Sequence, residues 1–289
     1  FFLTYILEKL TISIYNIFKA NFRSKNILKD ITQFFKAKEL GQKITMVSTY
    51  DYWSAKLCEE SGIDAILVGD SLGMVIQGND STLPVSLDEM IYHAKAVRKG
   101  APNTFIVVDM PFMSYHTSVE EAVKNAGRVI KESGANAVKL EGAGIVLEIT
   151  KKLVSIGIPV MGHLGLTPQF INLFGGYKVQ GKTIDSRKRI LEDAQALEES
   201  GAFSIVLEAV PSDLAKTITD SLKIPTIGIG AGKDTDGQVL VFHDLIGIFE
   251  KTPKFVKRYL EAGKLIKQAL SSYNQEVKDG KFPTDEYSY

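Results

Sequence analysis

Cysteine is nearly absent from this chain of 289 residues, which carries only Cys58. One cysteine excludes an intramolecular disulfide framework and any zinc centre built on several thiolates. It suits a reducing, cytoplasmic setting. A nucleophilic thiol also needs a partner base, and Ala55-Lys56-Leu57-Cys58-Glu59-Glu60 reads instead as a helix with a packed thiol. Net charge is missing as well, since 34 Lys and Arg stand against 34 Asp and Glu. A chain that works by neutralising phosphate backbones carries a basic surplus, so nucleic-acid binding is not expected.

Long apolar runs are also lacking. Residues Phe1 to Phe22 are rich in Phe, Tyr, Ile and Leu, but Glu8, Lys9 and Lys19 interrupt them. That falls short of the roughly 18 apolar residues of a membrane span. A basic start, apolar centre and small-residue cleavage site do not occur in that order, so no signal peptide is read. Residues 1–25 are taken as an N-terminal extension of unassigned role, and 26–289 as one catalytic domain. Within that domain, a composition of 45% hydrophobic and 24% charged residues supplies a globular core.

From Asn26 a charged helix is expected over Ile27 to Glu39, and a regular alternation follows. Short β-branched runs recur at Ile44–Thr49, Ala65–Val68, Phe105–Val108, Ala137–Leu140, Val160–Gly162, Ser204–Leu207, Thr226–Ile229 and Val239–Phe242. Amphipathic segments such as Val119–Ser133 and Arg187–Ser200 lie between them. Gly62, Gly134, Gly157 and Gly201 sit where helices would end. Eight such units in about 200 residues, apolar on both faces, predict a (β/α)8 barrel rather than an open doubly wound sheet.

The carboxyl ends of these runs carry the chemistry. The second run leads into Asp70-Ser71, the third into Asp109 and the fourth into Lys139-Leu140-Glu141. The fifth ends at His163, the sixth at Glu208, and the seventh in the glycine-rich stretch Gly228–Gly232. In a barrel these ends converge on one mouth. Asp70, Asp109 and Glu141 form an all-oxygen set that suits Mg²⁺ rather than zinc, or each acid caps a following helix. Lys139 and Glu141, two residues apart, share a strand face. Lys139 would stabilise an anionic substrate or an enolate oxygen, or form a structural ion pair. His163 is either a donor to a substrate carboxylate or a structural residue. Glu208, closing an apolar run, is the candidate base, or else a helix cap or an arginine's partner. The Gly228–Gly232 stretch could cradle phosphate or form a tight turn, and Phe174–Lys178 reads as a lid or second-substrate surface.

Longer blocks carry a resemblance. Val68-Gly69-Asp70-Ser71-Leu72-Gly73-Met74, Gln77 through Val85, Asp109-Met110-Pro111-Phe112-Met113 and Val138-Lys139-Leu140-Glu141-Gly142 stand in that order. Gly162-His163-Leu164-Gly165-Leu166-Thr167-Pro168-Gln169, Gly175 through Gly181 and Ile227 through Gly232 follow them. Together they resemble the ketopantoate hydroxymethyltransferase family from about Asn26 to the carboxyl terminus, with Phe1–Arg23 outside.

The resemblance implies a (β/α)8 TIM barrel of the phosphoenolpyruvate/pyruvate type, a homodecamer in bacterial members. It implies one-carbon transfer from 5,10-methylenetetrahydrofolate to 3-methyl-2-oxobutanoate, giving 2-dehydropantoate on the route to pantothenate and coenzyme A. The family's metal ligands fall on Asp70 and Asp109 with Glu141 close by, and its substrate contacts fall on Asp70, Ser71, Asp109, Lys139 and His163. Its general base falls on Glu208. Two rivals remain at this point: a lyase or mutase of the same superfamily, which would use a cysteine-bearing loop, and a non-catalytic barrel that binds without turnover.

Overall fold

The computed structural model describes residues 28–289. The expected extension over residues 1–25, and the boundary after it, lie outside the described residues. Two compact units are distinguished, one running to Val239 and the other comprising Leu240–Tyr289.

The first unit opens with α1 (Ile31–Glu39), shorter than expected because Asp30 caps it by accepting from the backbone N–H groups of Thr32 and Gln33. Then come β1 (Ile44–Ser48), α2 (Tyr52–Glu60), β2 (Ala65–Val68), α3 (Leu72–Val75) and α4 (Leu87–Gly100). They are followed by β3 (Phe105–Asp109), α5 (Val119–Ser133), β4 (Ala137–Glu141), α6 (Ile145–Ser155) and β5 (Val160–Gly165). The series continues with α7 (Ile171–Phe174), α8 (Ile184–Glu199), β6 (Ser204–Glu208), α9 (Ser212–Ser221) and β7 (Thr226–Ile229). The last strand, β8 (Gly237–Val241), closes a barrel in the order β1-β2-β3-β4-β5-β6-β7-β8. Every pair recorded from β1 to β8 is parallel. The expected eight-stranded barrel is thus present. The second unit carries α10 (Phe242–Leu245) and the 17-residue α11 (Ala262–Lys278).

Several bounds differ from those expected, for physical reasons. β3, β4 and β6 run on through Asp109, Glu141 and Glu208. Hydropathy marks an end before the closing acid, but ladder bonds ignore side-chain polarity. β8 begins at Gly237 rather than Val239, and Phe242 starts a helix. A Cβ at Gly237 would stand 2.6 Å from both Ile227 and the carbonyl of Ile44, so only glycine lets this strand approach its neighbours. α8 starts three residues early because Thr183 and Ser186 form a capping box. Gly134 does end α5 in the left-handed region, at φ +74°.

The barrel's amino-terminal end is closed by hydrocarbon. Phe34 of α1 is fully buried and packs edge-on against Phe105, at 5.0 Å, and Phe203, at 5.2 Å. Met46, Leu67, Val107, Ala137, Met161, Val206 and Ile227 continue this core. Beside it, Asp236 accepts from Lys38 Nζ at 2.8 Å and the Thr226 N–H at 2.9 Å. Its own carbonyl accepts the Ile44 N–H at 3.0 Å, joining β1 to the turn before β8.

Asp236→Ala should lower stability by about 1–3 kcal/mol, because the Lys38 ammonium is left with the Thr219 carbonyl and the Thr226 N–H loses its carboxylate acceptor. Urea denaturation checks this, and an unchanged midpoint would contradict it. Cys58 is buried in α2, and burial with Asp51 nearby pushes its thiol up to about 12. Native protein should therefore label with a thiol reagent only as fast as it opens, and completely in denaturant. Rapid full labelling of the native state would contradict a packed, protonated thiol.

Candidate active site

Alternation along the strands decides which side chains enter the barrel mouth. In β4, Ala137 joins the interior core, so Lys139 and Glu141 point the same way, while Val138 and Leu140 face outward. Parallel register then sets Asp109 beside Lys139 and Glu141 beside His163. At the end of β6, Glu208 pairs with Gly165. Asp70, Asp109, Lys139, Glu141 and His163 are all buried, and Glu208 is partly exposed.

The charges touch. Lys139 Nζ lies 3.0 Å from Asp109 Oδ1 and 3.8 Å from Glu141 Oε1. The Asp70 N–H donates to Asp109 Oδ2 at 3.1 Å. His163 bridges two acids, with Nδ1 3.1 Å from Glu141 Oε1 and Nε2 3.2 Å from Glu208 Oε2. Lys139 Nζ also stands 2.9 Å from His163 Nδ1.

Protonation follows from this packing. Burial, with Asp109 and Glu141 adding to it, holds the Asp70 carboxyl well above its usual range. Burial also raises Asp109, with Lys139 opposing. For Glu141, burial is outweighed by His163, Lys139 and the Gln169 N–H, and its carboxyl lies below the usual range. Burial would discharge Lys139, but Asp109, Glu141 and Asp70 outweigh it and keep the ammonium. Burial and Lys139 push His163 down, yet Glu141 and Glu208 prevail and lift it to about 9.

Backbone geometry fixes the Glu208 end of the site. Ala209 adopts φ +47°, a left-handed conformation strained for a non-glycine residue. Gly165, at φ +92°, lets the Glu208 carbonyl come so close that a Cβ would sit 2.2 Å from it. The Leu166 N–H donates to that same carbonyl at 2.8 Å.

Ser71 joins the mouth too. Its Oγ lies 2.8 Å from Tyr50 Oη, and a Cβ at Gly69 would meet Ser71 Oγ, Ser48 Oγ and Asp109 Oδ2 within 3.4 Å. All seven residues singled out from the sequence thus lie on β3 to β6 or within three residues after β2. Tyr177 from the glycine-flanked loop donates to Met74 Sδ at 3.2 Å, and Glu208 and Asp70 add to the effect of burial in raising its hydroxyl. Tyr177, within the segment expected to be a lid or second-substrate surface, thus stands within electrostatic reach of two of the acids. Within the Gly228–Gly232 stretch, Gly228 belongs to β7 and abuts Thr235 and Gln238, and Gly232 abuts Ser212, so both glycines answer to close packing.

Sequence reading missed Gln169 and Tyr115. Gln169 Nε2 donates to Asp70 Oδ2 at 2.8 Å, and its N–H donates to Glu141 Oε2 at 2.9 Å. Tyr115 Oη donates to Gln169 Oε1 at 2.7 Å. An uncharged amide and a phenol give no hydropathy or charge signal of their own.

Among the described residues no three His, Cys, Asp or Glu side chains form a preformed metal cage. Magnesium does not require one, because it commonly binds one or two carboxylates plus water and substrate oxygens. Adjacent Asp70 and Asp109, with Glu141 behind them, are hard oxygen donors of that kind. Among the described residues, Asp109, Glu141 and Glu208 are ion-paired with Lys139 and His163, and Asp70 is a fourth acid beside them, so a hard divalent cation suits the excess of acidic groups.

Residues 29–285 match the family model described as ketopantoate hydroxymethyltransferase. The 3-methyl-2-oxobutanoate hydroxymethyltransferase of Aquifex aeolicus is 58% identical over 261 residues, covering 90% of this chain and 98% of that one. Its counterpart in Clostridium botulinum is 56% identical over 260 residues, covering 90% and 94%. Among solved structures, phosphonopyruvate hydrolase matches with a TM-score of 0.60 at 12% identity, covering 91% of this chain and 92% of that one. The 2,3-dimethylmalate lyase of the PEP mutase/isocitrate lyase superfamily matches with 0.58 at 14%, also covering 91% and 92%. Those two likenesses concern the fold alone, and they agree with the barrel type expected from the motifs. By its motifs, its family match and its relatives, the chain belongs to the ketopantoate hydroxymethyltransferase family.

Proposed function

We propose that the chain transfers a one-carbon unit from 5,10-methylenetetrahydrofolate to 3-methyl-2-oxobutanoate, forming 2-dehydropantoate for pantothenate and coenzyme A synthesis. The observation that carries this reading is the buried cluster of Asp70, Asp109, Glu141 and Lys139 beside the more accessible Glu208. Asp70 and Asp109, with Glu141, would hold Mg²⁺, which when bound supplies Lewis-acid polarisation of a 2-oxo acid.

The chain's own residues account for the rest. Glu208 removes the C3 proton of the oxo acid, and its partial exposure gives it access to substrate. Lys139, kept charged by its acids, stabilises negative charge developing on the enolate oxygen. The enolate carbon then attacks the folate's methylene carbon; over the whole transfer both of that carbon's C–N bonds break, one water supplies the new hydroxyl, and tetrahydrofolate leaves. His163, between Glu141 and Glu208, orients the base, and Ser71 contributes to binding the oxo acid. A cysteine-dependent lyase reaction draws no support from Cys58, which is buried with a raised thiol pKa.

A homodecameric cytoplasmic enzyme acting on small molecules completes the proposal. No helix of the described residues is long and apolar enough to cross a membrane.

In D₂O with Mg²⁺, the wild-type protein should exchange the C3 proton of 3-methyl-2-oxobutanoate, followed by NMR. Glu208→Gln should slow that exchange by about 10²–10⁴-fold while the oxo acid still binds. Exchange at the wild-type rate in the variant would remove Glu208 from the base role.

A further inference from the structure

Gln169 sits in the 3₁₀ turn Pro168–Phe170 after β5 and is only 4% exposed. Its amide has one consistent orientation. Nε2 faces two acceptors, Asp70 Oδ2 at 2.8 Å and the Met110 carbonyl at 2.9 Å, so both amide hydrogens are used. Oε1 faces Tyr115 Oη at 2.7 Å. Tyr115 is fully buried, and its oxygen already accepts the Glu141 N–H at 3.2 Å. Its hydroxyl hydrogen is therefore committed to Gln169.

The result is a closed loop of bonds. Glu141 is held at Oε2 by the Gln169 N–H and at its own N–H by Tyr115. Asp70 is held at Oδ2 by the Gln169 side chain. The Met110 carbonyl belongs to the residue following Asp109, so all three strand-end acids are referred to one residue, Asp70 and the Asp109 strand end through its side chain and Glu141 through its backbone N–H. Every group in this loop is buried, and leaving any of them without its partner is costly.

We infer that Gln169 is a positioning residue, with Tyr115 as its strut, that holds Asp70 and Glu141 in the mutual geometry required to bind a divalent cation. The inference rests on the proposed cation role of those acids. The side-chain polar atoms of Gln169 are taken up by Asp70, the Met110 carbonyl and Tyr115, so its role is to act through the carboxylates it orients. Partners of this kind to metal-ligating groups typically govern affinity by 10- to 100-fold.

Calorimetric titration with Mg²⁺ alone tests this on wild type, Tyr115→Phe, Gln169→Met and the destabilised control Asp236→Ala, each confirmed folded by near-UV circular dichroism. Tyr115→Phe removes one hydroxyl and keeps the ring, so it folds even where Gln169→Met does not. Wild type and Asp236→Ala should bind Mg²⁺ alike, whereas Tyr115→Phe and folded Gln169→Met should bind about 10- to 100-fold more weakly. Wild-type affinity in both variants, or in Tyr115→Phe where it alone folds, overturns the positioning role and leaves the cation reading standing. Weakening in Asp236→Ala equal to that in the variants overturns it as well, since general destabilisation then accounts for the loss. No Mg²⁺ binding by the wild type overturns the cation reading, and this inference with it.

Discussion

Lys139 is an ammonium held in the interior of a barrel, and its neighbours make sense as the answer to that fact. Burying a charge is expensive unless oppositely charged groups replace the water that it loses. Asp109 at 3.0 Å and Glu141 at 3.8 Å do so. The dependence is mutual, because without a cation among them the three buried acids would be relieved of their repulsion only by taking up protons. Period-two alternation puts Lys139 and Glu141 on one face, and parallel register lays Asp109 and His163 alongside. A one-residue slip of β4 would turn both charges into the apolar layer beneath the helices. Electrostatics therefore reinforces the register that the hydrophobic pattern sets.

The two ends of the barrel are specialised in opposite ways. At the amino-terminal end, Phe34, Phe105 and Phe203 form a closed aromatic contact that needs no polar partner. At the carboxyl end, the same strands deliver acids, a lysine and a histidine into a shared mouth. This separation is the usual division between stability and chemistry in such barrels. It leaves the site free to carry strain, such as the left-handed Ala209 beside Glu208, because the core below holds the strands.

Much of this was legible in the sequence because period and polarity coincide there. Apolar runs located seven strands closely, and the charges that close them marked Asp109, Glu141 and Glu208. β8 was less legible because its first residue, Gly237, answers to crowding by Ile44 and Ile227, which sequence alone does not display. Gln169 and Tyr115 were not legible as functional residues for a related reason. Their importance lies in which buried acids they touch across 26 to 99 residues of chain, and neither residue type announces a site. Phe34 reads as an ordinary apolar position on a charged helix, and only the fold makes it the barrel's plug.

The central claim, that Lys139 and the strand-end acids are stable only together, is tested most directly by a double-mutant cycle. Lys139→Met, Asp109→Asn and the pair would be compared with the wild type by urea denaturation at constant pH. Each single change should destabilise the fold by leaving an uncompensated group. The pair should then recover part of that loss, with a coupling energy of about 1–3 kcal/mol. Strict additivity of the two single effects would contradict mutual dependence and would reduce Lys139 to an independent occupant of the barrel mouth.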